Sequence, residues 1–208
     1  MKTETIQFMP KLSAPGKMPC PTFSTPAQAC KTGSKLAKVP GSVCHGCYAL
    51  KGNYRFPNVK APREHNLSLL QDLPSWQAMM IKTIAASKHG GYFRWHDSGD
   101  VQSFEHLLAI IAIAHALPEI RFWLPTKEKA LLIRLTREGI NPPANLTIRL
   151  SMAMIDQGPI NSAWPTTSTV HTGQPFGQSC MAYTQGGKCG DCRACWNPSV
   201  PNISYPKH

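Results

Sequence analysis

Eight cysteines carry most of the reactive chemistry in this 208-residue chain. They fall in two groups, Cys20, Cys30, Cys44 and Cys47 near one end and Cys180, Cys189, Cys192 and Cys195 near the other. The second group lies in CMAYTQGGKCGDCRACW, where two successive two-residue gaps put three sulfurs in one tight loop. Gly186, Gly187 and Gly190 let the backbone fold around a centre whose sulfurs accept from amides. Four thiolates suit a tetrahedral zinc ion or a [4Fe–4S] cubane. The close run fits ferredoxin-type ligation better than a zinc ribbon, whose two pairs lie farther apart.

The first group is looser, with only Cys44-His45-Gly46-Cys47 compact. Three cysteines on an iron cluster would leave one iron open to a ligand, whereas four would close the site. Spacing leaves both arrangements open, along with ligands shared between the two groups. Metal-free thiols are the alternative for each. His45 is either a further ligand or a solvent-facing loop residue. The start, MKTETIQFMPK, lacks the apolar core of a signal peptide, so a cytoplasmic, reducing setting is expected. Disulfides do not persist there.

A second set of polar residues follows an aromatic-rich stretch, in Trp95-His96-Asp97-Ser98-Gly99-Asp100. Ligands of open parallel sheets bind outside the carboxyl ends of the strands. His96, Asp97 and Asp100 are therefore candidate catalytic groups, able to move a proton or accept an amine. Ser98, Lys127 and Arg149 are candidate cofactor or anion contacts. The alternative for Asp97, Ser98 and Asp100 is helix capping. Tyr48, Tyr54 and Phe56 interleave with Lys51 and Arg55, a mixture that either stacks on single-stranded nucleic acid or packs a loop onto the core.

These residues need a scaffold. Ser75–Ser87 reads as a helix capped by Ser75, Tyr92–His96 as a strand, and Ser103–Leu117 as a buried helix. Ile120–Leu124 is a second strand, Thr126 caps a helix to about Glu138 with Gly139 as its stop, and Leu146–Met152 is a third strand. Strand, helix, strand, helix, strand predicts an α/β fold with a parallel sheet or partial barrel. Prolines punctuate residues 1–66, and residues 157–208 show no long period. We therefore expect one domain over 1–208, with a βαβαβ core at 67–156 flanked by irregular Cys-rich segments at 1–66 and 157–208.

The formal charge is +11. Residues 1–66 hold ten basic and two acidic residues, against twelve and nine in 67–208. Two four-thiolate metal sites would bring the total to about +7. A basic third suits nucleic acid or another anion as partner, or is a solvated surface. No apolar run approaches the ~20 residues of a membrane span, so no membrane association is expected.

Cys44-x2-Cys47-Tyr48-Ala49 resembles radical S-adenosylmethionine (SAM) enzymes, whose cysteine triad often ends in Cys-Tyr-Ala ahead of a partial (β/α) barrel. The resemblance implies a cluster on Cys30, Cys44 and Cys47 whose open iron takes SAM. The thirteen residues between Cys30 and Cys44 depart from the short spacing of that triad, and no glycine-rich SAM motif follows the middle strands. CKTGSKLAKVPGSVCHGCYALKGNYRFPNV, YFRWHDSGD, NLTIRLS and GKCGDCRACW more closely resemble the gene-product-88-like proteins of phages and prophages. That implies a bacterial cytoplasm but no activity. The expected function is a phage-type iron–sulfur protein with one or two [4Fe–4S] clusters, acting in electron transfer with a redox partner or in radical-SAM-like chemistry. The alternative is a zinc-stapled module that binds nucleic acid or a host protein.

Overall fold

The computed structural model describes residues 8–159 and 164–207. Its strands are Leu12–Ser13 (β1), Thr22–Phe23 (β2), Tyr92–Trp95 (β3), Arg121–Thr126 (β4), Leu146–Ile155 (β5), Thr167–His171 (β6), Gln178–Ser179 (β7) and Asn202–Pro206 (β8). They form one sheet in the order β1-β2-β3-β4-β5-β6-β8-β7. Every neighbouring pair is parallel except β1 with β2. The helices are Lys31–Leu36 (α1), Pro57–Leu69 (α2), Leu73–Ala85 (α3), Phe104–Ala116 (α4) and Lys129–Arg137 (α5).

Strand alternation separates two buried layers. Phe93 and Trp95 of β3 and Phe122 and Leu124 of β4 face the main core, with Trp76, Met80 and Ile84 of α3 and most of α4. α4 is apolar nearly all round because it is buried nearly all round, and Ser103 caps it by accepting from His106 N at 3.0 Å. On the opposite face Tyr92 and Trp123 pack with Cys20, Cys195 and Trp196. A loop from the C-terminal stretch therefore covers the face that the helices leave bare.

The α/β fold and the central βαβαβ unit are present, with differences at the edges. Asp72, not Ser75, caps α3, accepting from Ser75 N at 3.1 Å. Pro74 suits the first helical turn, which shifts the cap upstream. Thr126 ends β4, and α5 starts only at Lys129. β5 runs on to Ile155 because Gly41 and Val43 bond to its end, Ile155 N to Gly41 O at 3.0 Å and Val43 N to Ala153 O at 2.8 Å.

Residues 1–66 and 157–208 are less irregular than their composition implies. α2 begins on Pro57, where a helix needs no N–H, and tolerates Pro62 inside it. β6 and β8 escape an apolar pattern because their buried side chains are polar and satisfy one another. Thr169 Oγ1 bonds Ser204 Oγ at 3.1 Å, His171 Nδ1 pairs with the same hydroxyl at 2.7 Å, and Thr167 Oγ1 donates to Asn202 Oδ1 at 2.8 Å. Among the described residues, no helix is long and apolar enough to cross a membrane.

Candidate functional site

All eight cysteines are free, and the fold sorts them differently from their order in the chain. Cys30, Cys44 and Cys47 gather at the carboxyl end of the parallel strands. Cys30 directly precedes α1, whose first turn is clamped by Glu128 beyond β4. Thr32 N and Thr32 Oγ1 donate to the two Glu128 carboxylate oxygens at 2.9 and 2.8 Å. The Cys44–Cys47 turn closes with Cys47 N on Cys44 O at 3.1 Å and is moored to the end of β5 through Val43.

Gly33 makes room between two of these sulfurs. A Cβ there would lie 2.9 Å from Cys30 Cβ, and 3.6 and 3.7 Å from the sulfurs of Cys30 and Cys44. Burial pushes the Cys30 thiol up to about 12, and Asp100, Cys47 and Cys44 add to the rise. Burial also raises Cys44, against the pull of Lys127. Burial thus favours the neutral thiol at Cys30 and Cys44.

Cys180, Cys189, Cys192 and Cys195 line a single small hollow on the other side of the sheet. Backbone bonds set the ring: Cys180 N to Ser204 O at 2.8 Å, Cys189 N to Lys17 O at 2.9 Å and Cys192 N to Cys189 O at 3.1 Å. Gly186, Gly187 and Gly190 all take left-handed φ, as such a tight loop requires. Burial drives Cys195 up to about 11, while Tyr205, whose hydroxyl lies 3.2 Å from its sulfur, draws it back. Cys20 lies with this set, buried against Trp123 and Trp196, and burial raises it to about 12. The thiols thus divide three and five, not four and four. Among the described residues no three His, Cys, Asp or Glu side chains converge closely enough to hold one metal ion.

The polar run after β3 serves several purposes. Asp97 pairs with Arg63 at 3.1 Å, accepts from Tyr54 Oη at 3.2 Å and from Ser24 Oγ, and its carbonyl accepts from Tyr48 Oη. Ser98 Oγ accepts from Arg63 Nε at 2.8 Å and donates to Thr25 O at 2.9 Å. Asp100 staples β3 to β4, accepting from Thr126 Oγ1 at 2.6 Å and Lys127 N at 2.8 Å. Burial lifts its carboxyl to about 6 although these bonds oppose the rise. Lys127 belongs to the three-cysteine end. Its ammonium donates to Met152 O at 2.8 Å, and burial lowers it against the field of Cys44, Asp100 and the other two thiols.

Two candidates lie elsewhere. His96 has φ +55°, and its ring sits among Phe23, Trp95 and His106 instead of facing solvent. Neither ring nitrogen has a partner, and burial lowers the imidazole to about 3, so it is neutral. Arg149 is fully buried and donates to five carbonyls, those of Ala194, Cys195, Asn197, Val200 and Thr167. With no donor left for an anion, it is a clamp on the C-terminal cysteine loop. His45 is exposed, with Nδ1 3.1 Å from Ala37 O.

Sequence reasoning passed over Arg94, Arg63 and Glu128. Arg94 reaches Met18 Sδ at 3.3 Å and His96 O at 3.3 Å and lies 4.6 Å over the Trp123 ring. Its charge acts on Cys20, Cys189 and Cys195 and on the Tyr48 hydroxyl next to Cys47. It therefore lies beside the five-thiol set, with no carboxylate partner among the described residues. The signal was a lone cation inside the aromatic strand YFRW.

A family model described as gene product 88 matches residues 2–198. No curated protein and no solved structure matches the chain.

Proposed function

We propose, from the premise that the chain belongs to the gene product 88 family, that it is a phage-type iron–sulfur protein of the bacterial cytoplasm with two unlike cluster sites. Cys30, Cys44 and Cys47 would hold a [4Fe–4S] cluster with one iron open. Cys180, Cys189, Cys192 and Cys195 would hold a closed one. The carrying observation is the neighbourhood of Cys30, Cys44 and Cys47, with Gly33 lying against the first two.

The donor chemistry fits. Thiolates suit iron–sulfur clusters, and ionising Cys30 beside Cys44 and Cys47 is opposed unless a cation joins them. A cubane spreads its ligands over the corners of a cube, wider than the ligands of one ion. The close spacing of Cys189, Cys192 and Cys195 in the chain favours a cluster over a zinc ribbon. Arg94, without a carboxylate, is suited to the net negative charge of a thiolate-ligated cluster. When bound, such clusters carry electrons, and an open iron adds a coordination position for SAM or another ligand. Around that position Lys127 supplies a cation, and Asp100 a carboxyl that titrates near 6. A partial-barrel, radical-SAM-like reading rests on this open site.

Iron, sulfide and zinc analysis of anaerobically purified protein tests the reading. Brown protein absorbing near about 400 nm with about eight irons per chain is expected. Changing Cys30, Cys44 and Cys47 to Ser should remove about half of the iron, and changing the C-terminal four should remove the other half. Zinc in place of iron would replace this reading with the zinc-stapled module, and neither element would end both. Calorimetry with SAM then separates a SAM-binding open site from electron transfer alone.

A further inference from the structure

We propose that the lip of chain carrying the three-cysteine site binds single-stranded nucleic acid, which makes a nucleotide polymer the ligand class of that site. The assignment to that site rests on the cluster reading, whereas the binding surface stands on charge and exposed rings alone.

No acidic residue occurs between Glu4 and Glu64, while nine Lys and Arg residues do. Lys31, Lys35, Lys38, Lys51, Arg55 and Lys60 are exposed, and of these only Lys60 has an acidic partner among the described residues, Glu64 at 3.3 Å. They lie on or next to one run of neighbouring segments. α1, the turns at Ala27–Ala29, Tyr48–Leu50 and Gly52–Arg55, and α2 pack in sequence against one another.

Two aromatic rings stand open on the same stretch, Tyr48 at 58% and Phe56 at 56% exposed. Tyr48 is fixed even though its ring is open. Its hydroxyl donates to Asp97 O, and its ring meets Tyr54 edge-on at 5.5 Å. Tyr54 is fixed in turn, with its hydroxyl on Asp97 Oδ2 and the Arg63 guanidinium 4.7 Å over its face.

An exposed ring with an anchored tip can stack with little loss of side-chain freedom. Cations along the strand with rings for its bases are the requirements for single-stranded binding, and duplex DNA hides the base faces. Tyr48 directly follows Cys47, so a base stacked on it would lie beside the thiols.

The test is fluorescence anisotropy on anaerobically purified full-length chain, with iron measured in every sample. The probes are labelled oligo(U) and oligo(dT) of about 20 nucleotides, a duplex of equal length and phosphatidylglycerol vesicles. Single strands should bind at least about tenfold tighter than duplex. Lys51→Glu with Arg55→Glu should weaken binding about tenfold and flatten the salt dependence by about 1.4 in log–log slope. Phe56→Ala should weaken it about tenfold and leave that slope unchanged. Lys82→Glu with Lys88→Glu, on and just beyond α3, should change nothing. No binding at low salt, equal loss from both charge reversals, or preference for duplex or vesicles would overturn the proposal. Iron without oligonucleotide binding sinks this inference alone. Binding without iron sinks the cluster reading and leaves the surface standing.

Discussion

At the scale of single residues, the decisive atoms are sulfurs and the spaces between them. Gly33 lies within α1, where alanine would favour the helix by about 1 kcal/mol. Yet its Cβ would sit 2.9 Å from that of Cys30. Gly33→Ala should therefore fold with a melting temperature within a few degrees of the parent and lose about one cluster of iron, about four atoms per chain. Full iron retention would show that this spot does not shape the site. The grouping of Cys180, Cys189, Cys192 and Cys195 around one hollow was legible because these cysteines are near one another in the chain. The company of Cys20 was not, because it follows from β2 pairing with β3, which brings residue 20 to a loop some 170 positions away. Arg94 was equally hidden. A cation in a strand reads as solvated until both faces of the sheet are known to be covered.

At the scale of elements, the junction of β3 with α4 holds two buried neutral histidines. Burial lowers His96 to about 3 and His106 well below its usual value. Below about 6.5 the unfolded chain binds protons that the fold refuses. The stability His96 contributes is whole above 6.5 and is lost as pH falls toward 3. Between pH 7 and 5 the loss is about 2 kcal/mol for His96, and His106 acts in the same direction. Asp100 works the other way, since its raised carboxyl favours the fold as pH drops from about 6 to 3.8. Asparagine tolerates the left-handed backbone at position 96. Urea melts of His96→Asn at the two pH values should lose about 2 kcal/mol less than wild type, with the Asp100 contribution common to both. Parallel losses would mean that His96 is not held neutral. The central elements were readable because apolar periodicity marks them, whereas β6 and β8 bury hydroxyls and amides that composition assigns to loops.

Across the whole molecule, the sheet takes strands from both ends of the chain, and Arg149 ties the last of these to the middle. Arg149→Lys replaces a five-donor fork with a point charge and strands several buried carbonyls. We expect a loss on the order of 3 kcal/mol in chemical denaturation. On the proposed cluster reading, the C-terminal iron should become labile and that at Cys30, Cys44 and Cys47 should be unaffected. Equal stability of the two proteins would remove the clamp from the account. The placement of β8 between β6 and β7 also sets an order of events during synthesis. Residues 178–179 emerge from the ribosome with no strand to pair with until residues 202–206 slot in beside them. The thiols from 180 to 195 lie between those two segments, and the ring gains its anchor at Ser204 O only once β8 is in place. The cluster proposed for that ring would therefore enter late, after translation has passed residue 206.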